Sequence, residues 1–489
     1  MRAHEAGWAH AEGARGPTWL QVPADVNDLV AHLWSSTARK VDGVLEVGGV
    51  RMTDLVAEHG SPAYVLDEVD FRQRAAAFRD AFADYDVYYA GKAFLCTTVA
   101  RWVAEEGLRL DVCSAGELTV ALAAGFEPAF IGYHGNNKTG AELARAVEAG
   151  VGRIVVDSFL EVERVAEIAA RTGRQVGVMV RVTAGVEAHT HEYIATAHED
   201  QKFGFSITSG DALEAVRRVQ AAAPEGDGGG LLLLGLHSHI GSQIFDSSGF
   251  EVAARRVLAL HATVARELGV QMPEMDLGGG FGIAYTTQDD PSTPQRLAEE
   301  MSAIVAYECR ALDLPVPRLS IEPGRAIVGP AMCTVYAVGT VKPVALDGGA
   351  RRTYVSVDGG MSDNIRTALY DADYSCTLAS RSSHATPILS RVVGKHCEAG
   401  DIVVKDEFLP GDIAPGDLVA VPGTGAYCRS MASNYNHALR PPVVAVRDGV
   451  ARVVVRRETE DDLLRTDVGW TGPSQGTDAD AAGPAVAAG

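Results

Sequence analysis

Several features that mark other classes of protein are missing or scarce in this chain of 489 residues. Its seven cysteines are odd in number and scattered, and none forms a Cys-x-x-Cys pair, so the sequence predicts neither a disulfide framework nor a structural zinc site. Basic side chains number 43 against 64 acidic ones, and the net charge of −21 excludes nucleic acid as an expected partner.

Segments that direct a chain to or through a membrane are also missing from the sequence. No apolar run approaches the length that crosses a bilayer. The N-terminal residues lack a basic region followed by an apolar segment, which is the pattern of a signal peptide. We therefore expect a cytoplasmic protein without membrane association.

The chain does have enough apolar residues for a large core, since 47% are hydrophobic and 22% are charged. Strand-like runs alternate with amphipathic helical stretches eight times, at Asp86–Tyr89, Leu108–Cys113, Ala129–Tyr133, Arg153–Asp157, Val176–Val182, Leu231–His237, Glu274–Leu277 and Leu319–Glu322. This alternation predicts a (β/α)8 TIM barrel at residues 64–333. A doubly wound open sheet fits less well, because polar and glycine residues follow nearly every strand.

After Cys333 the helical patterns largely end, and short β-branched runs separated by turn signals predict a second domain of β-sandwich or β-barrel type. The alternating pattern at Gly43–Met52 predicts a hairpin that joins this domain. The β domain is therefore expected to be discontinuous, made of residues 43–63 and 334–465. Residues 1–42 are assigned to an N-terminal extension, and the Gly-, Ala- and Pro-rich residues 466–489 to a disordered tail.

Lys92 follows the first strand of the predicted barrel. A lysine at a strand end ordinarily extends its amine into solvent along its apolar stem. A lysine that is buried and made neutral is instead a nucleophile, of the kind that forms Schiff bases with carbonyl compounds and with pyridoxal 5'-phosphate (PLP). The other strand ends distinguish between these two explanations, because active sites of TIM barrels lie at the carboxyl ends of the strands.

Three later strands end in groups that suit a phosphorylated aromatic cofactor. They lead into His237-Ser-His239-Ile-Gly-Ser242, Gly278-Gly279-Gly280 and Glu322-Pro-Gly324-Arg325. Glycines let backbone N–H groups approach a phosphate, Ser242 and Arg325 add a hydroxyl and a forked cation, and a carboxylate can hold a pyridinium nitrogen protonated. Taken singly, a triple glycine indicates a tight turn and a strand-end histidine a structural group. Their occurrence at one face favours a cofactor site.

The β domain contributes a further set of candidate residues at turns. Arg366 and Tyr370 follow the sequence Asp-Gly-Gly, Cys397 and Glu398 follow Gly-Lys-His, and Tyr427 follows Gly-Thr-Gly-Ala. By default such a cysteine is inert and such a tyrosine packs. Cys397 can act as a proton donor only in a polar, accessible setting.

The motifs around Lys92, His237–Gln243, Glu322–Arg325 and His396–Glu398 closely resemble the diaminopimelate decarboxylase family, whose members are PLP-dependent enzymes with an alanine-racemase-like barrel. The resemblance extends from about Gly43 to about Glu458. It implies that Lys92 holds PLP, that Cys397 donates a proton, and that several groups bind the cofactor, namely His239, Ser242, Gly278, Gly279, Gly280, Glu322, Gly324, Arg325 and Tyr427. It further implies that the substrate contacts Arg325, Arg366, Tyr370, Glu398 and Tyr427.

The activity implied by the resemblance is decarboxylation of meso-2,6-diaminopimelate to L-lysine and CO2, the last step of lysine biosynthesis. Paired arginines and a glutamate suit the distal carboxylate and ammonium of that substrate. The resemblance also implies a homodimer with shared active sites, in which Cys397 and Glu398 reach the site of the other subunit. Two alternatives stay open: a decarboxylase of another basic amino acid or a racemase on the same barrel, and a non-catalytic regulatory paralogue. We predict no metal, because His189, His191 and His198 are interpreted as solvated loop residues.

Overall fold

The structure is a computed structural model that describes residues 17–185, 201–346 and 351–470. Eight parallel strands close into a ring, in which Arg318–Glu322 pairs with Asp86–Ala90. The strands of the ring are Asp86–Ala90, Arg109–Val112, Ile131–Tyr133, Arg153–Val156, Gln175–Thr183, Gly230–His237, Glu274–Gly279 and Arg318–Glu322. Phe205–Ser206 pairs with the end of the fifth of them. The predicted TIM barrel is thus confirmed.

Helices surround the barrel and bury one apolar face each against its strands. They span Glu68–Ala81, Thr97–Glu105, Ala115–Ala123, Gly140–Ala149, Phe159–Thr172, Asp211–Ala221, Ser248–Leu268, Pro294–Ala311 and Arg325–Val328. Several begin at a side chain that accepts a hydrogen bond from the first turn, such as Asp67, Ser114 and Ser158. Thr139 and Glu142 form a reciprocal capping box at the start of Gly140–Ala149.

Most of the remaining strands form a mixed sheet beside the barrel, as expected for an all-β second domain. Its strands, in spatial order, are Ile402–Pro410, Pro387–Val393, Arg351–Val357, Met332–Ala345, Ala63–Asp67, Val443–Arg447 and Val450–Val455. Leu418–Val421 also pairs with Met332–Ala345 and is joined by Thr377–Leu378. The long strand Met332–Ala345 therefore organises this sheet.

The strand Ala63–Asp67 corrects one expectation from the sequence, which assigned residues from 64 onward to the barrel. It lies in the mixed sheet, where it pairs with Met332–Ala345 on one side and Val443–Arg447 on the other. All five of its residues are buried, because this central strand is covered on both faces. A fully buried strand shows no alternating pattern in the sequence, which explains why it was missed.

The predicted hairpin is present as Val44–Val47 paired with Val50–Arg51, and Arg39–Val41 adds a third strand. Leu45 donates its amide hydrogen to the carbonyl oxygen of Ala379 at 3.0 Å, and Gly449 donates to Gly48 at 2.8 Å. These contacts connect the hairpin to the β domain, and the exact domain boundaries stay a prediction.

Shorter helical segments complete the described chain, at Ala31–Leu33, Met52–His59, Pro128–Phe130, Arg366–Tyr370, Arg429–Met431, Tyr435–His437 and Glu460–Leu464. Across residues 17–185, 201–346 and 351–470, no helix combines the length and the apolar character needed to cross a membrane. His189, His191 and His198 lie outside the described residues, as do residues 1–16 of the predicted extension and 471–489 of the predicted tail.

Candidate active site

Lys92 lies at the barrel mouth, two residues beyond the strand Asp86–Ala90. Its side chain is exposed to solvent. Partial loss of hydration lowers the pKa of Lys92, but Tyr427 and Glu322 outweigh this and raise the pKa above its ordinary value. The amine is therefore a cation that Tyr427 and Glu322 favour electrostatically, rather than the neutral nucleophile that loss of hydration alone would give.

Glu322 ends the eighth strand and faces two histidines. Its Oε1 atom accepts a hydrogen bond from Nε2 of His237 at 2.8 Å and lies 3.6 Å from Nε2 of His134. Burial raises the pKa of Glu322, but His134 and His237 outweigh burial and hold the pKa well below its ordinary value. The carboxylate is thus ionised, and within the described part of the chain both histidine contacts use the same oxygen.

His134 follows the third strand, and the sequence analysis did not identify it. Its Nε2 atom lies 3.0 Å from Oδ1 of Asp111. Burial lowers the pKa of His134 to about 4 and raises that of Asp111 well above its ordinary value. With His237 and Glu322, this histidine is close enough to offer a set of metal ligands. The sequence does carry a signal for His134, because a polar residue directly follows the third strand. The candidate residues above came only from the ends of the first, sixth, seventh and eighth strands.

His239 lies between Lys92 and the triple glycine. Its Nδ1 atom accepts a hydrogen bond from the amide of Gly279 at 3.2 Å. Burial, followed by the charge of Lys92, lowers the pKa of His239 well below its ordinary value. An imidazole that accepts at Nδ1 and stays neutral can place its ring against a flat ligand without adding charge to the mouth.

The triple glycine is packed between neighbouring strand ends. A Cβ added at Gly280, whose φ is +97°, would overlap the carbonyl group of Gly241. The amide of Gly278 donates to Oδ1 of Asp276 at 2.7 Å. Asp276 is in turn held by Ser320 at 2.7 Å and by an ion pair with the buried Arg153. Both explanations of the glycines therefore apply: they form a tight turn, and that turn lies at the mouth.

Arg325 connects the glycine turn after the sixth strand to two tyrosines. Its guanidinium donates to Oγ of Ser242 at 2.9 Å and to Oη of Tyr285 at 2.5 Å. It also lies over the ring of Tyr427, 4.7 Å from the ring centroid. Its Nε atom is buried without a hydrogen-bond partner among the described residues. Such an unpartnered donor suits an anionic ligand.

Arg366 approaches the same region from the β domain. Its guanidinium donates to Oη of Tyr374 at 2.6 Å and lies 4.6 Å from the ring centroid of Tyr285. Burial alone lowers the pKa of Arg366, but Tyr285 and Tyr374 outweigh burial and raise it. Tyr285 therefore joins the two predicted arginines, and neither it nor Tyr374 was identified from the sequence. Tyr370, at the end of the helix that Arg366 begins, is half-buried.

The structure does not bring Cys397 or Glu398 to this mouth, and no side-chain hydrogen bond or ion pair in the described chain joins Tyr370 to it either. Cys397 and Glu398 are both exposed on a turn of the β domain. The backbone amide of Cys397 donates to Oδ1 of Asn436 at 3.4 Å. In the described chain no hydrogen bond or ion pair joins either side chain to the residues around Lys92.

The residues at the mouth fit PLP by their chemistry. Lys92 offers an amine for the aldehyde, and Glu322 offers an ionised carboxylate for the ring nitrogen. Ser242, the backbone of the glycine turn and the unpartnered donor of Arg325 offer groups for the phosphate. Gly324 precedes Arg325 and begins the short helix Arg325–Val328.

Comparison with known proteins agrees with this donor set. The model of the family described as "Pyridoxal-dependent decarboxylase, pyridoxal binding domain" matches residues 68–329. The diaminopimelate decarboxylase of Mycobacterium leprae is 54% identical over 96% of this chain and 100% of its own length. The diaminopimelate decarboxylase of Corynebacterium efficiens is 48% identical over 93% of this chain and 98% of its own length.

A solved structure gives the same result at the level of the fold. Diaminopimelate decarboxylase from M. jannaschii, crystallised in complex with L-lysine, superposes with a TM-score of 0.81. The two sequences are 28% identical, and the match covers 89% of this chain and 98% of that one.

The barrel, its mouth and the matching family model define a PLP-dependent decarboxylase. More narrowly, the chain belongs to the diaminopimelate decarboxylase family, and the resemblance stated from its motifs is confirmed.

Proposed function

We propose that this chain decarboxylates meso-2,6-diaminopimelate to L-lysine and CO2, as a cytoplasmic homodimer whose two active sites are shared between subunits. The observation that carries the substrate assignment is the pair of arginines joined through Tyr285, where Arg325 donates to its hydroxyl and Arg366 lies over its ring. Two guanidinium groups beside one mouth suit a substrate with a second carboxylate.

The residues around Lys92 are assigned to the cofactor. Lys92 would hold PLP through its amine, His239 would lie against the ring, and Glu322 would accept a hydrogen bond from the ring nitrogen. Ser242, Arg325 and the turn of Gly278, Gly279 and Gly280 would hold the phosphate. When bound, PLP supplies an electron sink for the negative charge left by the departing CO2. Since Glu322 keeps its carboxylate ionised against burial, it can keep a proton on the ring nitrogen.

Discrimination is assigned to the distal end of the substrate. Arg366 is buried and pinned by Tyr374, so its charge is fixed in place before a ligand arrives. A basic amino acid that lacks the second carboxylate would leave this buried cation without a partner, which is unfavourable. Tyr370, Tyr427 and Glu398 are assigned as further contacts, Glu398 to the distal ammonium group.

The last step places a proton on the carbon that lost CO2. Cys397 is assigned as the donor, and its thiolate is then reprotonated from solvent. Its thiol is exposed and has no hydrogen bond to the described residues around Lys92, which supports a donor that serves the partner subunit's site. In a twofold dimer each chain then contributes its loop with Cys397 and Glu398 to the partner subunit's site and receives the same loop from the partner.

A substrate panel tests the proposal. The purified protein with added PLP is assayed for CO2 release from meso-diaminopimelate, lysine, ornithine and arginine, with Lys92→Ala as the control. We expect release from meso-diaminopimelate alone and none from the variant. Activity confined to the other three amino acids would instead support the alternative decarboxylase. A protein that neither gains visible absorbance with PLP nor releases CO2 would support the non-catalytic paralogue.

A further inference from the structure

Asp401 lies between the two loops that carry the predicted substrate and proton-donor residues. We call Gly359–Arg366 the arginine loop and Gly394–Gly400 the cysteine loop. Asp401 is buried, with 3% of its surface exposed. Its Oδ1 atom accepts from the amide of Met361 at 2.6 Å, and its Oδ2 atom accepts from the amide of His396 at 2.7 Å. One carboxylate therefore bonds to both loops.

The two loops leave space for that carboxylate by lacking side chains where it lies. A Cβ added at Gly360 would lie 2.5 Å from Oδ1 of Asp401. A Cβ added at Gly394 would lie 2.5 Å from its carboxyl carbon. Both distances are shorter than a nonbonded contact allows. The carboxylate and the two glycines thus form one fitted contact.

The side chain of His396 connects the same loops a second time. Its Nδ1 atom lies at hydrogen-bond distance from Oδ1 of Asn436, 3.1 Å, and its Nε2 atom at hydrogen-bond distance from Oγ of Ser362, 2.8 Å. Asn436 Oδ1 also accepts from the amide of Cys397. The backbone amide of Lys395 donates to the carbonyl of Gly359 at 3.0 Å. The backbone of Cys397 is therefore fixed while its thiol stays exposed.

We propose that Asp401 is a positioning residue that holds the arginine loop and the cysteine loop in one arrangement, so that Arg366 is placed at the mouth of its own chain while the thiol of Cys397 is placed for the partner subunit's site. The inference rests on the roles proposed above for these two residues. Asp401 itself contacts neither the mouth nor the thiol; it acts through backbone amides. Its loss is expected to misplace the proton donor without disturbing the cofactor groups around Lys92.

Two variants test the proposal, each with a matched control. Asp401→Asn replaces one acceptor oxygen by an amide that faces an N–H donor, and Gly394→Ala displaces the carboxylate while leaving Asp401 intact. Asp417→Asn alters another buried aspartate of the β domain, which pairs with Arg381. Gly339→Ala adds a Cβ at an ordinary contact distance of 3.6 Å.

Three measurements are made on the PLP-loaded full chain: kcat for meso-diaminopimelate, the visible absorbance titration with PLP, and the rate of Cys397 alkylation followed by mass spectrometry. Both test variants should lower kcat about 10- to 100-fold, as expected for a misplaced catalytic group. They should change the alkylation rate of Cys397 at least about threefold, because the thiol loses its fixed surroundings. In both test variants the titration with PLP should match that of the wild type. Both control variants should match the wild type in all three measurements.

Unchanged kcat and an unchanged alkylation rate in the two test variants would overturn the proposal. So would a loss of PLP binding equal to the loss of kcat, since that result indicates a general structural role. If Asp401→Asn does not fold, Gly394→Ala decides, and failure of both to fold also overturns it. Cys397→Ala distinguishes failure of the proposed function from failure of this inference. Full activity in that variant would refute the role of Cys397 as proton donor, and the alkylation rates would then decide the positioning role of Asp401 alone.

Discussion

The hydrogen bond from Arg366 to Tyr374 makes a quantitative prediction. Tyr374→Phe removes an acceptor 2.6 Å from a buried guanidinium and keeps the aromatic ring that lies 5.6 Å from it. A hydrogen bond to a charged group contributes about 1.5–3 kcal/mol. If that energy holds Arg366 where the distal carboxylate binds, kcat/KM for meso-diaminopimelate should fall about 10- to 150-fold.

The loss should appear mainly in KM, because the distal end of the substrate is bound equally before and during the reaction. The assay is steady-state CO2 release over a range of substrate concentrations, with the PLP absorbance titration as a check that the cofactor groups are intact. Tyr85→Phe is the matched control, since the hydroxyl that this change removes forms a hydrogen bond with Oγ of Ser302 at an exposed position, 3.1 Å away. A decrease in kcat with unchanged KM, or less than a twofold change in kcat/KM, would refute this reasoning.

Three further predictions concern the shared sites, the carboxylate and the buried histidine. Lys92→Ala and Cys397→Ala, each inactive alone, should recover about a quarter of wild-type CO2 release when mixed and refolded together, because a twofold dimer then contains one intact site; no recovery would contradict shared sites. Glu322→Gln should still gain visible absorbance with PLP but lose about 100-fold or more in kcat, and full kcat would contradict its role. Since burial lowers the pKa of His134 to about 4, the unfolded state binds more protons between pH 6.5 and 4. The free energy of unfolding should therefore decrease by up to about 3 kcal/mol as the pH falls through that window, and it should decrease less in His134→Gln. Urea titrations at pH 5 and 7 would measure this decrease. An equal decrease in the wild type and in His134→Gln would refute the assignment.

Much of the fold could be predicted from the sequence because its barrel strands alternate with helices at regular intervals. The residues at the strand ends, such as Lys92 and Glu322, could be identified because a parallel barrel places all of those ends at one face. His134 also directly follows a barrel strand, so the same rule could have identified it. The strand Ala63–Asp67 was not, because its complete burial removes the pattern on which such predictions depend.

The tyrosines that hold the arginines could not be predicted. Tyr285 and Tyr374 lie in connecting segments far apart in the chain, and only the folded structure brings their rings within 5.0 Å of each other. No spacing in a sequence encodes such a contact. In the proposed dimer the position of Cys397 relative to Lys92 depends on a second subunit, and for that reason the role of Cys397 stays a prediction.

The pairing of Ala63–Asp67 with Met332–Ala345 has a consequence for the engineering of this chain. Leu66 and Met332 are direct partners across that antiparallel pair, so the backbone enters and leaves the barrel at points about 5 Å apart. The barrel is therefore a loop-like insertion with adjoining ends. A linker of a few residues between positions 66 and 332 would suffice to close the β domain on itself, and the excised barrel could be circularised in the same way.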